Sequence, residues 1–110
     1  MKNLIVALPL VAGLGMVSQN ALATSMPPLA KKSGCTACHA IDHKVVGPAW
    51  ADVAKRYKGD GSAKDKLISK VKSGGKGNWT AVTHGVPMPP YSPRVSDENI
   101  AKLVDFVLGL

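Results

Sequence analysis

The sequence predicts an all-α fold, with about four short helices and long loops wrapped around something other than side chains. Three observations predict it. Apolar residues recur at helical spacing, and no stretch shows the alternation of a half-buried strand. Eleven glycines and eight prolines in 110 residues require much loop. Only 5% of residues are aromatic although 45% are hydrophobic, so few large side chains are at hand to fill a centre. A chain of this length makes one small domain. Domains of that size commonly depend on a staple, a metal or a cofactor.

The same arithmetic excludes several classes. The hydrophobic fraction is too high for a disordered chain. Two cysteines do not make a disulfide scaffold. No apolar run reaches the ~18 residues of a membrane span. A multidomain enzyme, a long sheet and a coiled coil all fit poorly. The formal charge is +7, from 14 Lys and Arg against 7 Asp and Glu.

Residues 1–23 read as a cleavable export signal. Lys2 gives a positive start, Leu4 to Val17 is apolar apart from Pro9, Gly13 and Gly15, and Ala21-Leu22-Ala23 is an A-x-A cleavage site. The apolar run is short for a retained anchor. Cleavage leaves residues 24–110 as the folded domain and removes Lys2, lowering the charge from +7 to +6. Export also implies an oxidising compartment, in which two neighbouring cysteines pair unless something else consumes them.

Along the folded part, Pro27 and Pro28 mark a helix start, Leu29 to Ser33 forms the short helix, and Gly34 stops it. Ala40 to Pro48 is a loop. Ala49 to Lys58 is a helix with Trp50, Val53, Ala54 and Tyr57 on one face. Gly59-Asp60-Gly61 ends it. Ser62 is placed to cap the next helix, with Asp65 three residues on as a capping-box variant. Leu67, Ile68 and Val71 form that helix's apolar side, and Gly74, Gly75 and Gly77 break it. Asn78 to Arg94 has four prolines and no period, so it reads as one long functional loop. Ser96 caps the last helix, Asp97 and Glu98 suit its dipole, and Ile100, Leu103, Val104 and Val107 form its buried stripe.

The chemistry is concentrated in Cys35-Thr36-Ala37-Cys38-His39, a C-x-x-C-H sequence of the kind that attaches a c-type haem. Each sulfur adds across one haem vinyl group to form a thioether. The adjacent histidine is then carried beneath the iron, where Nε2 binds axially. Two blander readings compete. A thioredoxin-type C-x-x-C belongs after a strand in an α/β pattern, whereas this one follows a short helix. Zinc would draw on Cys35, Cys38 and His43 with His39 or His84, but the Cys35-x2-Cys38-x4-His43 spacing is not that of a finger. A haem also supplies the missing core.

Iron bound by one histidine has a sixth position. Met26, His43, His84 and Met88 are the candidates. Met88 leads, because Pro87 and Pro89 stiffen the backbone on both sides of its soft sulfur. His84 is the main rival, being in the same long loop. His43 is only four residues from His39 and belongs near the haem edge or in solvent.

The chain resembles the short bacterial class I monohaem cytochromes c. The resemblance covers nearly all of residues 24–110. It rests on Gly34-Cys35-Thr36-Ala37-Cys38-His39-Ala40-Ile41-Asp42, Val46-Gly47-Pro48-Ala49-Trp50, Gly77-Asn78-Trp79, Val86-Pro87-Met88-Pro89-Pro90 and Val95-Ser96-Asp97, in that order. It implies an all-α fold around one covalent haem c, His39 and Met88 as axial iron ligands, and single-electron transfer in the periplasm. It also implies that the Pro48 carbonyl accepts a hydrogen bond from His39 Nδ1, and that Trp79 and Lys70 meet the haem propionates. Phe106 matches an aromatic that packs against the first helix. Two features depart from the pattern. Thr80 to Gly85, with His84, looks like an insertion. Ala30 is small where relatives often carry an aromatic.

The resulting expectation is a monomeric, soluble electron carrier and not an enzyme, since a His/Met pair leaves no open site. The alternatives are a dedicated haem subunit of a periplasmic dehydrogenase or reductase, and a haem-based ligand-binding domain. Scattered lysines without interleaved aromatics do not suit nucleic acid. They suit redox partners with acidic docking surfaces. Lys31 and Lys32 flank the attachment motif, and Lys44, Lys76 and Arg94 lie in loops expected to border the haem crevice.

Overall fold

The computed structural model describes residues 24–110 together with Pro9, Gly13 and Gly15. The expected export signal, residues 1–23, otherwise lies outside the described residues. Five helices follow in order: α1 (Pro28–Ser33), α2 (Trp50–Arg56), α3 (Ala63–Ser73), α4 (Thr80–Thr83) and α5 (Asp97–Leu108), with a single 3-10 turn at Cys35–Ala37. No strand occurs among the described residues. Two isolated antiparallel bridges do, His39 with Lys44 and Gly75 with Met88.

The local causes are mostly those the sequence announces. Pro28 opens α1 where a missing N–H does no harm, and the Gly34 N–H closes it on the carbonyls of Ala30 and Lys31. Ser96 Oγ accepts from the Asn99 N–H at 3.2 Å and caps α5, whose first turn holds Asp97 and Glu98. Ser62 behaves otherwise. Its hydroxyl donates to Asp60 Oδ1 at 2.7 Å and its N–H donates to the same oxygen at 2.9 Å, so no side-chain cap forms on α3. A carboxylate is the stronger acceptor, and the freely rotating hydroxyl turns toward it. The Ser62 hydroxyl, with the Ser62 N–H and Lys66, holds the Asp60 carboxyl below its ordinary range.

The stretch from Asn78 to Arg94 is not one structureless loop. Val82 and Thr83 both donate to the Trp79 carbonyl at 2.9 Å, making the single turn α4. One turn is too short to show a period in sequence.

The core divides in two. Ala30, Cys35, Trp50, Val53, Leu103 and Val107 form one buried cluster; Tyr91, Val95, Ile100 and Val104 form the other. Helix α5 supplies both, since its buried stripe is Ile100, Leu103, Val104 and Val107. Phe106 joins the cluster that contains Ala30, and its ring meets Trp50 edge-on, with centroids 5.9 Å apart and planes at 64°. Between the clusters lies a cavity of about 330 Å³. The thin core expected from composition is therefore a core with its centre left for something else.

Candidate functional site

One wall of the cavity is built from a short run of chain. The 3-10 turn presents Cys35, which is 6% exposed, and Cys38, which is half-buried. The N–H groups of Cys38 and His39 both donate to the Cys35 carbonyl, at 3.2 and 2.9 Å. This winding sets both cysteines on the cavity wall. The two are not joined in a disulfide, and burial pushes the Cys35 thiol above its ordinary pKa.

His39 shares that wall. Its Nδ1 lies 2.9 Å from the Pro48 carbonyl oxygen. A carbonyl only accepts, so Nδ1 carries the proton and the Nε2 lone pair is free to bind a metal. Burial lowers the His39 pKa, outweighing the opposing effect of the Pro48 bond, and the neutral ring is favoured. Gly47 packs against the ring so closely that an added Cβ would stand 2.5 Å from Cε1. Behind His39 the Trp50 ring lies 5.9 Å away, tilted by 33°. The Cys38 carbonyl accepts from the Val46 and Gly47 N–H groups at 3.2 and 2.8 Å, which draws the loop onto the motif.

The facing wall comes from distant segments. Met88 is half-buried and lines the cavity. Its N–H donates to the Gly75 carbonyl at 3.0 Å, and its carbonyl accepts from the Gly75 N–H at 2.8 Å. The other three candidates for the sixth position do not line this cavity. Exposed His84 accepts from Lys44 Nζ at 3.4 Å. Exposed His43 donates from Nδ1 to Asp42 Oδ1 at 2.7 Å. Met26 packs against the Ala30 cluster. The described residues include no group of three His, Cys, Asp or Glu side chains gathered to bind a metal, as the zinc reading requires.

Trp79 and Lys70 also line the cavity. Arg56 holds Trp79 from behind, its guanidinium 4.8 Å over the ring and one N–H donating to the Asn78 carbonyl at 3.1 Å. Lys70 Nζ donates to the Gly74 carbonyl at 3.4 Å. Of the five cations expected beside the motif or at the crevice border, Lys76 lines the cavity; Lys31, Lys32, Lys44 and Arg94 do not.

Several residues of the site went unmarked in the sequence. Arg56, the contact of Gly47 with the His39 ring and the Gly75 pairing are among them. Tyr91 is another: it lines the cavity at 6% exposure, carries the Arg94 guanidinium 4.9 Å over its ring, and has its phenol pKa raised chiefly by burial. Its position three residues after Met88 was the available signal.

A helical shell around an apolar cavity, with two cysteines and a metal-ready histidine on one wall, defines a c-type haem protein. Residues 27–110 match the family described as cytochrome c. The chain is 50% identical over 82 residues to cytochrome c-551 of Allochromatium vinosum, an overlap covering 74% of this chain and 82% of that protein. It is 40% identical to cytochrome c-552 of Hydrogenobacter thermophilus, covering 99% and 97% of the two chains. The crystal structure of wild-type Nitrosomonas europaea cytochrome c552 superposes with a TM-score of 0.67 at 43% identity, covering 74% of this chain and 95% of that one. The chain belongs to the cytochrome c family. Its cofactor is one covalent haem c, and its role is electron transport. The residues present fit that group: paired cysteines, an imidazole with Nε2 free, and an otherwise mainly apolar cavity.

Proposed function

We propose that this chain is a soluble, periplasmic one-electron carrier, not an enzyme, in which His39 and Met88 are the axial iron ligands. The observation that carries the ligand assignment is that Met88, alone of the four candidates, lines the cavity with His39. When bound, haem supplies an iron centre that gains or loses a single electron. The protein's residues do the rest. Cys35 and Cys38 hold the group by thioethers. The Pro48 carbonyl fixes the His39 tautomer and ring angle. The Met88 thioether, a soft ligand, favours ferrous iron and raises the potential. Two protein ligands leave no position for substrate, and the apolar walls exclude water. Trp79 Nε1 and Lys70 Nζ serve the haem propionates as donors. Export by residues 1–23 delivers the chain to the compartment.

The rim suits an acidic redox partner. Val46 and Val86 line the cavity and are 39% and 49% exposed, giving an apolar contact beside it. Among the described residues, the ion pairs to Asp60, Asp97, Glu98 and Asp105 come from Lys66, Lys72, Lys102 and Lys64, all on α3 and α5. Lys32 and Lys76 make no such pair there, so their charge faces outward uncompensated.

Met88→Ala tests the assignment. The oxidised holoprotein should lose its thioether–iron absorption band, bind added imidazole or cyanide readily, and fall in potential. A band that survives Met88→Ala and disappears in His84→Ala would reverse the assignment.

A further inference from the structure

We propose that Gly74 and Gly75 are positioning residues for Met88, the turn they form at the end of α3 fixing where the thioether stands in the cavity. The proposal rests on Met88 being the axial ligand. Pro87 and Pro89 stiffen the Met88 segment along its own length. They tie it to no other segment by backbone bonds: proline has no N–H to donate, and no backbone N–H among the described residues donates to the Pro87 or Pro89 carbonyl. The tie comes from α3.

A helix leaves its last four carbonyls without intrahelical partners. In α3 the Met88 loop supplies two of the missing donors. Tyr91 N–H donates to the Val71 carbonyl at 3.1 Å, and Ser92 N–H donates to the Lys72 carbonyl at 3.3 Å. Gly74 N–H takes the Lys70 carbonyl at 2.7 Å. One residue further, Gly75 and Met88 exchange both backbone bonds, at 2.8 and 3.0 Å. Met88 and its C-terminal flank thus hang from the end of one helix.

Only glycine permits this approach. Gly74 has φ +70° and ψ −159°, a region essentially closed to L side chains. An added Cβ would overlap the Met88 carbonyl oxygen and stand 2.8 Å from Pro90 N and 2.9 Å from the Pro89 carbonyl carbon. These are backbone atoms, so no rotamer relieves the clash. Residues 88–90 would have to move off α3. Gly75 has φ +109°, but the nearest atom to its added Cβ is Lys70 Nζ at 3.6 Å. Alanine there strains the turn without pushing the loop.

The test uses oxidised holoprotein titrated with imidazole, which binds only where Met88 has left the iron. Its apparent affinity scales with the population of that detached state. Gly59→Ala is the control. Gly59 has φ +80° with nothing within 4 Å of its added Cβ, and it is not part of the cavity wall. It reports the effect of strain alone. Relative to Gly59→Ala, Gly74→Ala should bind imidazole about tenfold more tightly and Gly75→Ala about threefold more tightly. Equal affinities in all three variants would overturn the proposal. Should Gly74→Ala give no holoprotein, the comparison of Gly75→Ala with Gly59→Ala decides alone. Failure of the ligand assignment looks different: wild type itself would lack the thioether–iron band, or keep it in Met88→Ala.

Discussion

The two walls of the cavity are built by opposite strategies. The His39 wall is local: Cys35, Cys38, His39, Gly47, Pro48 and Trp50 lie within sixteen residues, and the hydrogen bonds that shape the wall run within that stretch. The Met88 wall is assembled from the end of α3 and a proline-rich segment more than ten residues later, joined by backbone bonds. A local wall forms its tie to the haem by covalent chemistry at two sulfurs. A remote wall is held by packing, by hydrogen bonds each worth about 1 kcal/mol net, and by the proposed thioether–iron bond. On that difference we expect the site to open on the Met88 side and to be held on the His39 side.

The largest expected effect would break the comparison altogether. Both walls face a cavity that side chains do not fill, so haem-free protein spanning 24–110 should be largely unfolded. Far-UV circular dichroism checks this. A cooperative, near-fully helical melt without haem would mean that the walls stand by themselves. Next in size is Gly47→Ala. The added Cβ meets the His39 ring, which the Pro48 bond holds in place. Stability of the holoprotein should fall by about 2 kcal/mol, the scale of an overpacked core. The thioether–iron band should stay, because the disturbance is on the other wall. Imidazole affinity raised as much as in Gly74→Ala would show that the walls are not independent.

Smaller still is the effect at the wall that both sides share. Ser96→Ala removes the cap of α5 and should cost about 1 kcal/mol in denaturant unfolding. Ser62→Ala, at a position that looks just as much like a cap, should cost clearly less, since its hydroxyl serves Asp60 and not the α3 backbone. Equal losses would indicate that Ser62 caps α3 after all.

These serines show where the sequence is legible. Ser96 and the stripe Ile100, Leu103, Val104 and Val107 were readable because a cap and a 3.6-residue period are local signals. Cys35, Cys38 and His39 were readable for the same reason: their chemistry dictates their spacing. The helix at α4 was not, since one turn has no period. Ser62 matches the capping pattern without capping, because its competitor, Asp60, lies before the helix and outside that pattern. Gly74 and Gly75 read only as helix breakers. That they carry the Met88 loop depends on a pairing between segments thirteen residues apart, and Arg56 behind Trp79 depends on one twenty-two residues apart. Lys70 and Trp79 were placed by resemblance, and both line the cavity. The weight of Trp50, between His39 and Phe106, follows from ring contacts that no periodicity announces.

The smallest expected effect asks which wall a redox partner meets. Lys32 stands beside the His39 wall, three residues before Cys35, and Lys76 follows the Gly74–Gly75 turn on the Met88 wall. Both are exposed, and neither is in an ion pair with an acid among the described residues. Electron transfer needs only a brief encounter, so a rim charge acts mainly on the association rate. Lys32→Glu and Lys76→Glu should each slow second-order electron transfer with an acidic partner, on the order of threefold at low salt. Neither should move the thioether–iron band. Stopped-flow rates across a salt titration are the check. The difference from wild type should shrink as the screening length falls toward ~8 Å at 0.15 M. Lys76 lines the cavity and Lys32 does not, so the Lys76→Glu effect should be the larger. A larger effect of Lys32→Glu would place docking on the His39 wall, and salt-independent equality with wild type would remove both lysines from the partner surface.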